Sequence, residues 1–473
     1  MHAGSSECGA AECNAHAGRH GARRAPHAPA ATWLPARRQP STGFVEIAQV
    51  GNFSEALAGT HRQQEQRLLK AQTETTGPDM AHLIAFSHLR WDFVFQRPQH
   101  LLTRIAQRHP VIYIEEPVFS TGPAHLELIQ AAPQVEVLRP HTPLNEHGYT
   151  SQQIELIRPL LRDHLKRRQV TEAFAWFYTP MAWPLLSSVP HQVVAYDCMD
   201  ELSAFKGAPQ QMKEQEAALL KRADLVFTGG LSLYDAKRNL HPHVHCQPSA
   251  VDVAHYAPSR LKPGSDLARR AQALQGHLPG PRLGYFGVID ERMNLGLIES
   301  LADARQDWSI VMVGPVSKID PAQLPRRANV TWLGQQPYEL LPYLVADWDV
   351  CLMPFALNEA TQYISPTKTL EYLAAEKPVV STAIRDVVAL YGEVVHVAHN
   401  RSDFIEKCLN LVAGDSDRFT VEKAASAGCV SCLSWDDTAQ AMLDLLHQAA
   451  RRRAQARPLP SGLATAGAFM KAR

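Results

Sequence analysis

The sequence has no excess of either charge. Its 47 Lys and Arg residues face 47 Asp and Glu residues, so the chain as a whole projects no strong field toward a polyanion, and no nucleic-acid partner is expected. It is also poor in cysteine: eight thiols at uneven spacings in 473 residues resemble neither a disulfide scaffold nor a zinc ribbon. No run approaches the roughly eighteen uninterrupted apolar residues of a spanning helix, and the N-terminus lacks the compact apolar segment of a signal peptide. These absences argue against membrane insertion and ordinary secretion, and they leave a reducing cytoplasm as the expected compartment. What is present, 45% hydrophobic and 20% charged residues over a length too great for one ordinary domain, describes a soluble protein of two domains.

Composition changes near residue 80. Residues 1–79 are rich in Ala, Gly, His, Arg and Pro (ARRAPHAPAATWLPARRQP) and show no helix or strand period, so a disordered extension is expected there. Met80 is followed at once by the strand-like HLIAFS, as though the functional protein began at that point. A targeting leader is the other reading; Glu7 and Glu12 and the missing amphipathic period count against it. From residue 80 short β-rich runs alternate with helical segments. The expected strands are His82–Ser87, Val111–Ile114, Val135–Leu138, Ala173–Tyr178, Gln192–Tyr196 and Asp224–Thr228. A polar segment with Pro258, Pro263, Gly264, Gly276, Pro279, Gly280 and Pro281 then separates two domains, and the alternation restarts. The expected fold class is α/β, with two Rossmann-like doubly wound domains facing a cleft. They span 80–255 and 256–434, and residues 435–473 form a final helix, returning to the first domain, and a basic tail.

Ile364-Ser365-Pro366-Thr367-Lys368-Thr369-Leu370-Glu371 is the most informative stretch. Ser365 suits an N-cap and Pro366 the first helical position, so a helix is expected to open with free amides at Thr367 and Lys368. Lys368 adds a cation, and Glu371, three residues on, supplies an acceptor for a vicinal diol such as ribose. Together they suit a nucleotide diphosphate; an ordinary capped helix with a solvated Lys–Glu pair is the competing reading. A strand, glycine and loop at Tyr285-Phe286-Gly287 leads to Arg292, which could face the same diphosphate or lie free in solvent. Tyr196-Asp197-Cys198-Met199-Asp200-Glu201 places carboxylates just after a strand. Asp197 or Asp200 could there orient or deprotonate an acceptor hydroxyl, unless Asp200 merely caps the next segment.

These residues resemble the group 1 glycosyltransferases, whose GT-B fold pairs two Rossmann-like domains. The family signature carries two glutamates eight positions apart before a small-residue segment and Pro-Val-Val. Glu371 matches the second, which in the family contacts the donor ribose, whereas the first falls on Tyr363. Ser-Pro-Thr-Lys-Thr-Leu-Glu-Tyr-Leu-Ala-Ala looks like the branch in which a lysine on that helix takes the diphosphate. Glu376 stands where the family has a helix-ending glycine, so a left-handed glutamate is expected there. Val288 replaces the family's loop arginine, and Cys246-Gln247-Pro248-Ser249-Ala250-Val251-Asp252 matches its Pro-Asn-Gly-Val-Asp hinge in part. Phe86 to Leu101 is similar to the first strand, loop and helix of bacterial enzymes acting on cell-surface polysaccharides, including ones linked to teichuronic-acid and exopolysaccharide assembly. Arg90, Trp91, Asp92, Gln96 and Arg97 in that loop are expected to bind the acceptor.

The resemblance implies an enzyme that moves a sugar from a nucleotide-diphosphate donor to a hydroxyl of a glycan or lipid-linked acceptor. Gly287, Arg292, Ser365, Thr367, Lys368 and Glu371 would hold the donor, with no cofactor and no metal. The missing first glutamate keeps a non-catalytic sugar- or nucleotide-binding protein in view, and a GT-B-type epimerase is a third reading. Asp347-Trp348-Asp349 precedes a strand and is read as structural, and Cys429-Val430-Ser431-Cys432 lacks the second pair of a metal site. Ser151–Arg168 reads as a basic amphipathic helix with Ile154, Ile157, Leu161 and Leu165 on one face. It is either a solvated domain face or a peripheral contact with the inner face of the membrane.

Overall fold

The computed structural model describes residues 81–414, 426–431 and 433–456. The extension expected over 1–79, Cys432 and the tail from 457 lie outside them. Among the described residues the strands form two sheets. The first contains β1 (His82–Phe86), β2 (Val111–Ile114), β3 (Val118–Phe119), β4 (His125–Ala132), β5 (Val135–Thr142), β6 (Ala173–Phe177), β7 (His191–Cys198), β8 (Leu225–Thr228) and β9 (Val244–Cys246). Their order is β3-β5-β2-β1-β6-β7-β8-β9, parallel throughout except for β4, which pairs antiparallel with β5. The second contains β10 (Arg282–Phe286), β11 (Ser309–Val313), β12 (Val330–Gly334), β13 (Val350–Met353), β14 (Val379–Thr382) and β15 (His396–Ala398) in the order β12-β11-β10-β13-β14-β15, all parallel. That order reverses between β10 and β13, as it does between β1 and β6 in the first sheet. These are the switch points at which a doubly wound sheet opens a crevice beyond the strand carboxyl ends.

Parallel strands covered by helices on both faces read as nearly continuous apolar runs, and the central strands β1, β2, β6 and β13 do. In the first lobe Ile84, Phe86, Ile112, Ile114, Ala175 and Phe177 point to one face, where Ile154, Ile157, Leu161 and Leu165 of the helix Ser151–Arg167 cover them. Leu83, Ala85, Val111, Tyr113, Phe174 and Trp176 point to the other, against Leu101, Leu102 and Ile105 of the helix Arg97–Ile105. The helix Trp435–Ala456 lies on this second face as well, burying Trp435, Met442, Leu443 and Leu446 there. The chain reaches it through a strand-like bridge between Val251 and Ser434, so the outgoing and returning segments run side by side.

Three local departures from the sequence reading have simple causes. The β4–β5 hairpin was not expected because Leu128 on β4 is 53% exposed, which destroys the alternation that marks a strand, and because its turn uses Gln134 at φ 59° instead of a glycine. The helix expected to start at Pro366 starts at Lys368, and Thr367 occupies its N-cap position without a side-chain cap. In the basic helix Ser151–Arg167, Ile154, Ile157, Leu161 and Leu165 are at most 3% exposed. Its apolar face is therefore core, and only a charged face is left to meet anything outside.

Candidate active site

The carboxyl ends of both sheets meet across a cavity of about 520 Å3. From the second lobe come Tyr285 and Phe286 at the end of β10 with Gly287 and Arg292 after it, Tyr338 after β12, and Ser365, Thr367 and Lys368 at the start of the helix Lys368–Ala374. Gly287 has φ 147°, and a Cβ there would lie 2.5 Å from the Tyr285 hydroxyl oxygen and 3.4 Å from Lys368 Cε. The position thus requires glycine, and its backbone stays bare toward the cavity. Lys368 Nζ lies 5.0 Å above the Phe286 ring and donates to Glu371 Oε2 at 2.9 Å. The carboxylate is almost wholly buried and the ammonium about one fifth exposed, so the pair shows its cation to the cavity.

Arg292 lines the same wall, but its charge is already matched. Its Nε and Nη2 donate to both Asp290 oxygens at 2.7–3.1 Å. Burial alone would lower its pKa; Asp290 beside it raises it instead. Ser365, expected as the helix cap, packs against Gly230 of the first lobe.

From the first lobe, Trp91, Asp92, Gln96, Arg97, Met199 and Asp200 reach the cavity. Arg90 does not line it. Its guanidinium donates to Glu115 Oε2 at 3.1 Å and to the carbonyls of Glu116 and Pro117. Glu115, wholly buried at the end of β2, also accepts from Arg139 at 2.6 Å and from the Trp91 amide at 2.8 Å. It is the post around which the loop 88–96 is wound, and Asp92 joins through Arg139 at 3.0 Å. The sequence reading passed over Glu115 and Arg139; the available signal was a pair of acids, Glu115 and Glu116, directly after an apolar strand. Burial pushes the Glu116 carboxyl up to about 7 against the pull of Arg90 and Lys318.

The two expected catalytic carboxylates part company. Asp197 is 0% exposed, and both its oxygens are taken by Arg97, with Nε at 3.0 and 3.2 Å and Nη2 at 2.9 Å. Arg97 Nη1 continues to the Gln247 carbonyl at 2.9 Å. This pair ties the helix Arg97–Ile105 and the end of β7 to the segment leaving the first lobe, which is a positioning arrangement for both residues. Asp200 does line the cavity. Burial raises its carboxyl pKa against the pull of Arg292 and Lys318 and with the push of Asp290, a setting that suits a proton acceptor facing a hydroxyl.

Aromatic rings close the far side. Tyr338 stacks on Phe95 at 4.6 Å and on His255 at 4.0 Å, while His100 stacks on Trp435 at 4.8 Å. Asp349, of the D-x-D run, accepts from the Arg282 amide at 2.7 Å and so fastens the entry of β13 to β10. Among the described residues no group of three or more His, Cys, Asp or Glu is spaced to hold a metal ion.

With two doubly wound lobes facing one cleft, the molecule has the GT-B architecture. Comparison with known proteins carries this further. The family of Glycosyl transferases group 1 matches residues 280–414, the second lobe. A Bacillus subtilis protein named as a teichuronic acid biosynthesis glycosyltransferase, TuaH, is 26% identical over 281 residues, which is 55% of this chain and 69% of that protein. Among solved structures, sucrose-phosphate synthase from Thermosynechococcus elongatus superposes with a TM-score of 0.58 at 14% identity, over 78% of this chain and 99% of that one. HepE from Anabaena, solved in complex with UDP, superposes with a TM-score of 0.55 at 15% identity, over 78% and 100%. These low identities speak for the fold alone. Residues 280–414 thus match a group 1 glycosyltransferase domain, and the two lobes together share the GT-B fold.

Proposed function

We propose that the chain transfers a sugar from a nucleoside-diphosphate donor, bound by the second lobe, to a hydroxyl of a cell-envelope glycan or lipid-linked acceptor held by the first. The observation that carries this reading is Lys368, on the cavity wall beside the bare backbone of Gly287 and bonded at 2.9 Å to the buried Glu371 behind it. Lys368 meets the diphosphate, and Glu371 accepts from the ribose hydroxyls. Arg292 adds charge from behind its bond to Asp290. During transfer the anomeric C–O bond to the diphosphate breaks, the acceptor oxygen bonds to the anomeric carbon, and the nucleoside diphosphate leaves with its new charge facing Lys368. The acceptor proton passes to Asp200 or to the departing phosphate, and no metal takes part.

Support for the acceptor class comes from the TuaH relative; support for a uridine donor comes from the neighbour solved in complex with UDP and glucose. Among the described residues no helix is long and apolar enough to cross a membrane; in this reading a lipid-linked acceptor is met by peripheral contact at the inner membrane face. Calorimetry with UDP and with GDP tests the donor site. Lys368→Ala is expected to weaken the preferred nucleotide by about 1.5–3 kcal/mol, the worth of a charged hydrogen bond, and Glu371→Gln to narrow the preference for ribo- over deoxyribonucleotide. Unchanged affinity in Lys368→Ala rejects the site.

A further inference from the structure

The helix Leu231–Lys237 of the first lobe begins after Gly230, which has no side chain to cap it. Its cap comes from the other lobe. Asp386, in the first turn of the helix Arg385–Tyr391, is 0% exposed, and its Oδ1 accepts from the Ser232 amide at 3.0 Å. Its Oδ2 lies so close over Gly230 that a Cβ there would collide with it. The same Cβ would stand 2.6 Å from the Cβ of Ser365, the residue that opens the donor loop. On the opposite side, a Cβ on Gly229 would come within 3.1 Å of the Cα of Met199, which lines the cavity next to Asp200. Two consecutive glycines thus form a thin layer, with acceptor-side backbone on one side and the donor loop and Asp386 on the other. Arg385 and Asp235, both about half exposed, close the rim of this contact at 2.6 Å.

We propose that Gly230, Ser365 and Asp386 form an inter-lobe latch: when Asp386 caps the first-lobe helix, Ser365 seats on Gly230, and the loop 364–368 is set where Lys368 meets the donor. Asp386 is a positioning residue in this arrangement, since it touches the helix amide and not the substrate. The latch rests on the donor-site reading for its consequence, though not for its existence. Separating the lobes leaves the helix without a cap, so closure and the shape of the donor loop are one event. Asp386 Oδ2 and Ser232 Oγ both lie buried in this contact, where burial raises the pKa of the Asp386 carboxyl and hydrogen bonding from Ser232 and from the Leu231 amide works against that rise.

The test is amide hydrogen exchange on the full chain, together with UDP calorimetry and donor kinetics, for wild type, Asp386→Asn, Asp386→Ala and Arg385→Ala. Asp386→Ala is expected to speed exchange in two separated segments, 230–234 and 364–368. It should also raise the Kd for UDP about tenfold and raise donor KM with little change in kcat. Asp386→Asn, whose amide oxygen can still accept from Ser232, is expected to recover most of both effects. The surface variant Arg385→Ala, which leaves the buried cap in place, should show a smaller coupled rise in both segments. Faster exchange confined to 230–234, with 364–368 and UDP affinity as in wild type, overturns the proposal and leaves Asp386 a local cap. If wild type binds no nucleotide, the donor reading fails while the exchange pattern still decides the latch.

Discussion

Replacing Asp197 with Asn separates a positioning role from a catalytic one. The Arg97 guanidinium, 3% exposed, makes three contacts within 3.2 Å to Asp197, one to the Gln247 carbonyl at 2.9 Å and one to Met442 Sδ at 3.8 Å. Burial pulls the Arg97 pKa down, but the adjacent carboxylate more than offsets it and keeps the group charged. In Asn one acceptor oxygen remains but the counter-charge is gone, and breaking such a pair on one side costs about 3–5 kcal/mol. Urea unfolding followed by circular dichroism and by the fluorescence of buried Trp176 and Trp435 is therefore expected to move to markedly lower denaturant. The double variant Arg97→Met/Asp197→Leu, which removes both charges, should recover most of the loss. Retained stability with lost turnover in Asp197→Asn would falsify this account and return Asp197 to the reaction.

The final helix gives a pH prediction. His109 Nδ1 lies 2.8 Å from the Ala81 carbonyl and so carries the proton, leaving its Nε2 to accept from His447 Nε2 at 3.0 Å. Burial first, then His109, lowers the His447 pKa from 6.5 to about 4, and burial lowers that of His109 as well. The folded state thus binds fewer protons than the unfolded chain between those values, so the stability from this contact is full above pH 6.5 and is lost as pH falls toward 4. Discounted for partial exposure, the loss is about 1 kcal/mol, and His447→Gln should flatten it in a pH series of melting curves. At the other end of the donor helix, Glu376 has φ 55°. Its amide and that of Lys377 bond back to Leu373 and Tyr372, the pattern of a left-handed helix stop. Glu376→Gly is expected to stabilise the second lobe by about 1 kcal/mol, visible as a melting temperature about 2–4 °C higher; a lower one refutes the strain argument.

Much of the architecture lies in local pattern. Strands such as Val111–Ile114 and Ser309–Val313 are buried at every position and almost wholly apolar because both their faces are covered, and the helix Leu295–Ala304 begins and ends where its Asn294 cap and apolar period place it. The Lys368–Glu371 contact was legible for the same reason: the two residues are three positions apart on one turn, so spacing alone brings them together. Partnerships between residues far apart in the chain leave no such trace. Arg97 meets Asp197, and Arg90 and Arg139 meet Glu115, only because the first sheet sets its strand ends side by side, and Asp386 caps a helix that begins 155 positions earlier, at Leu231, only because the two lobes meet. The sequence by itself determined which residue types stand at the ends of strands. Tertiary structure decided which of them keep a polar group free for a substrate and which spend it on another residue, because a buried charge takes whatever partner the packing brings within 3 Å.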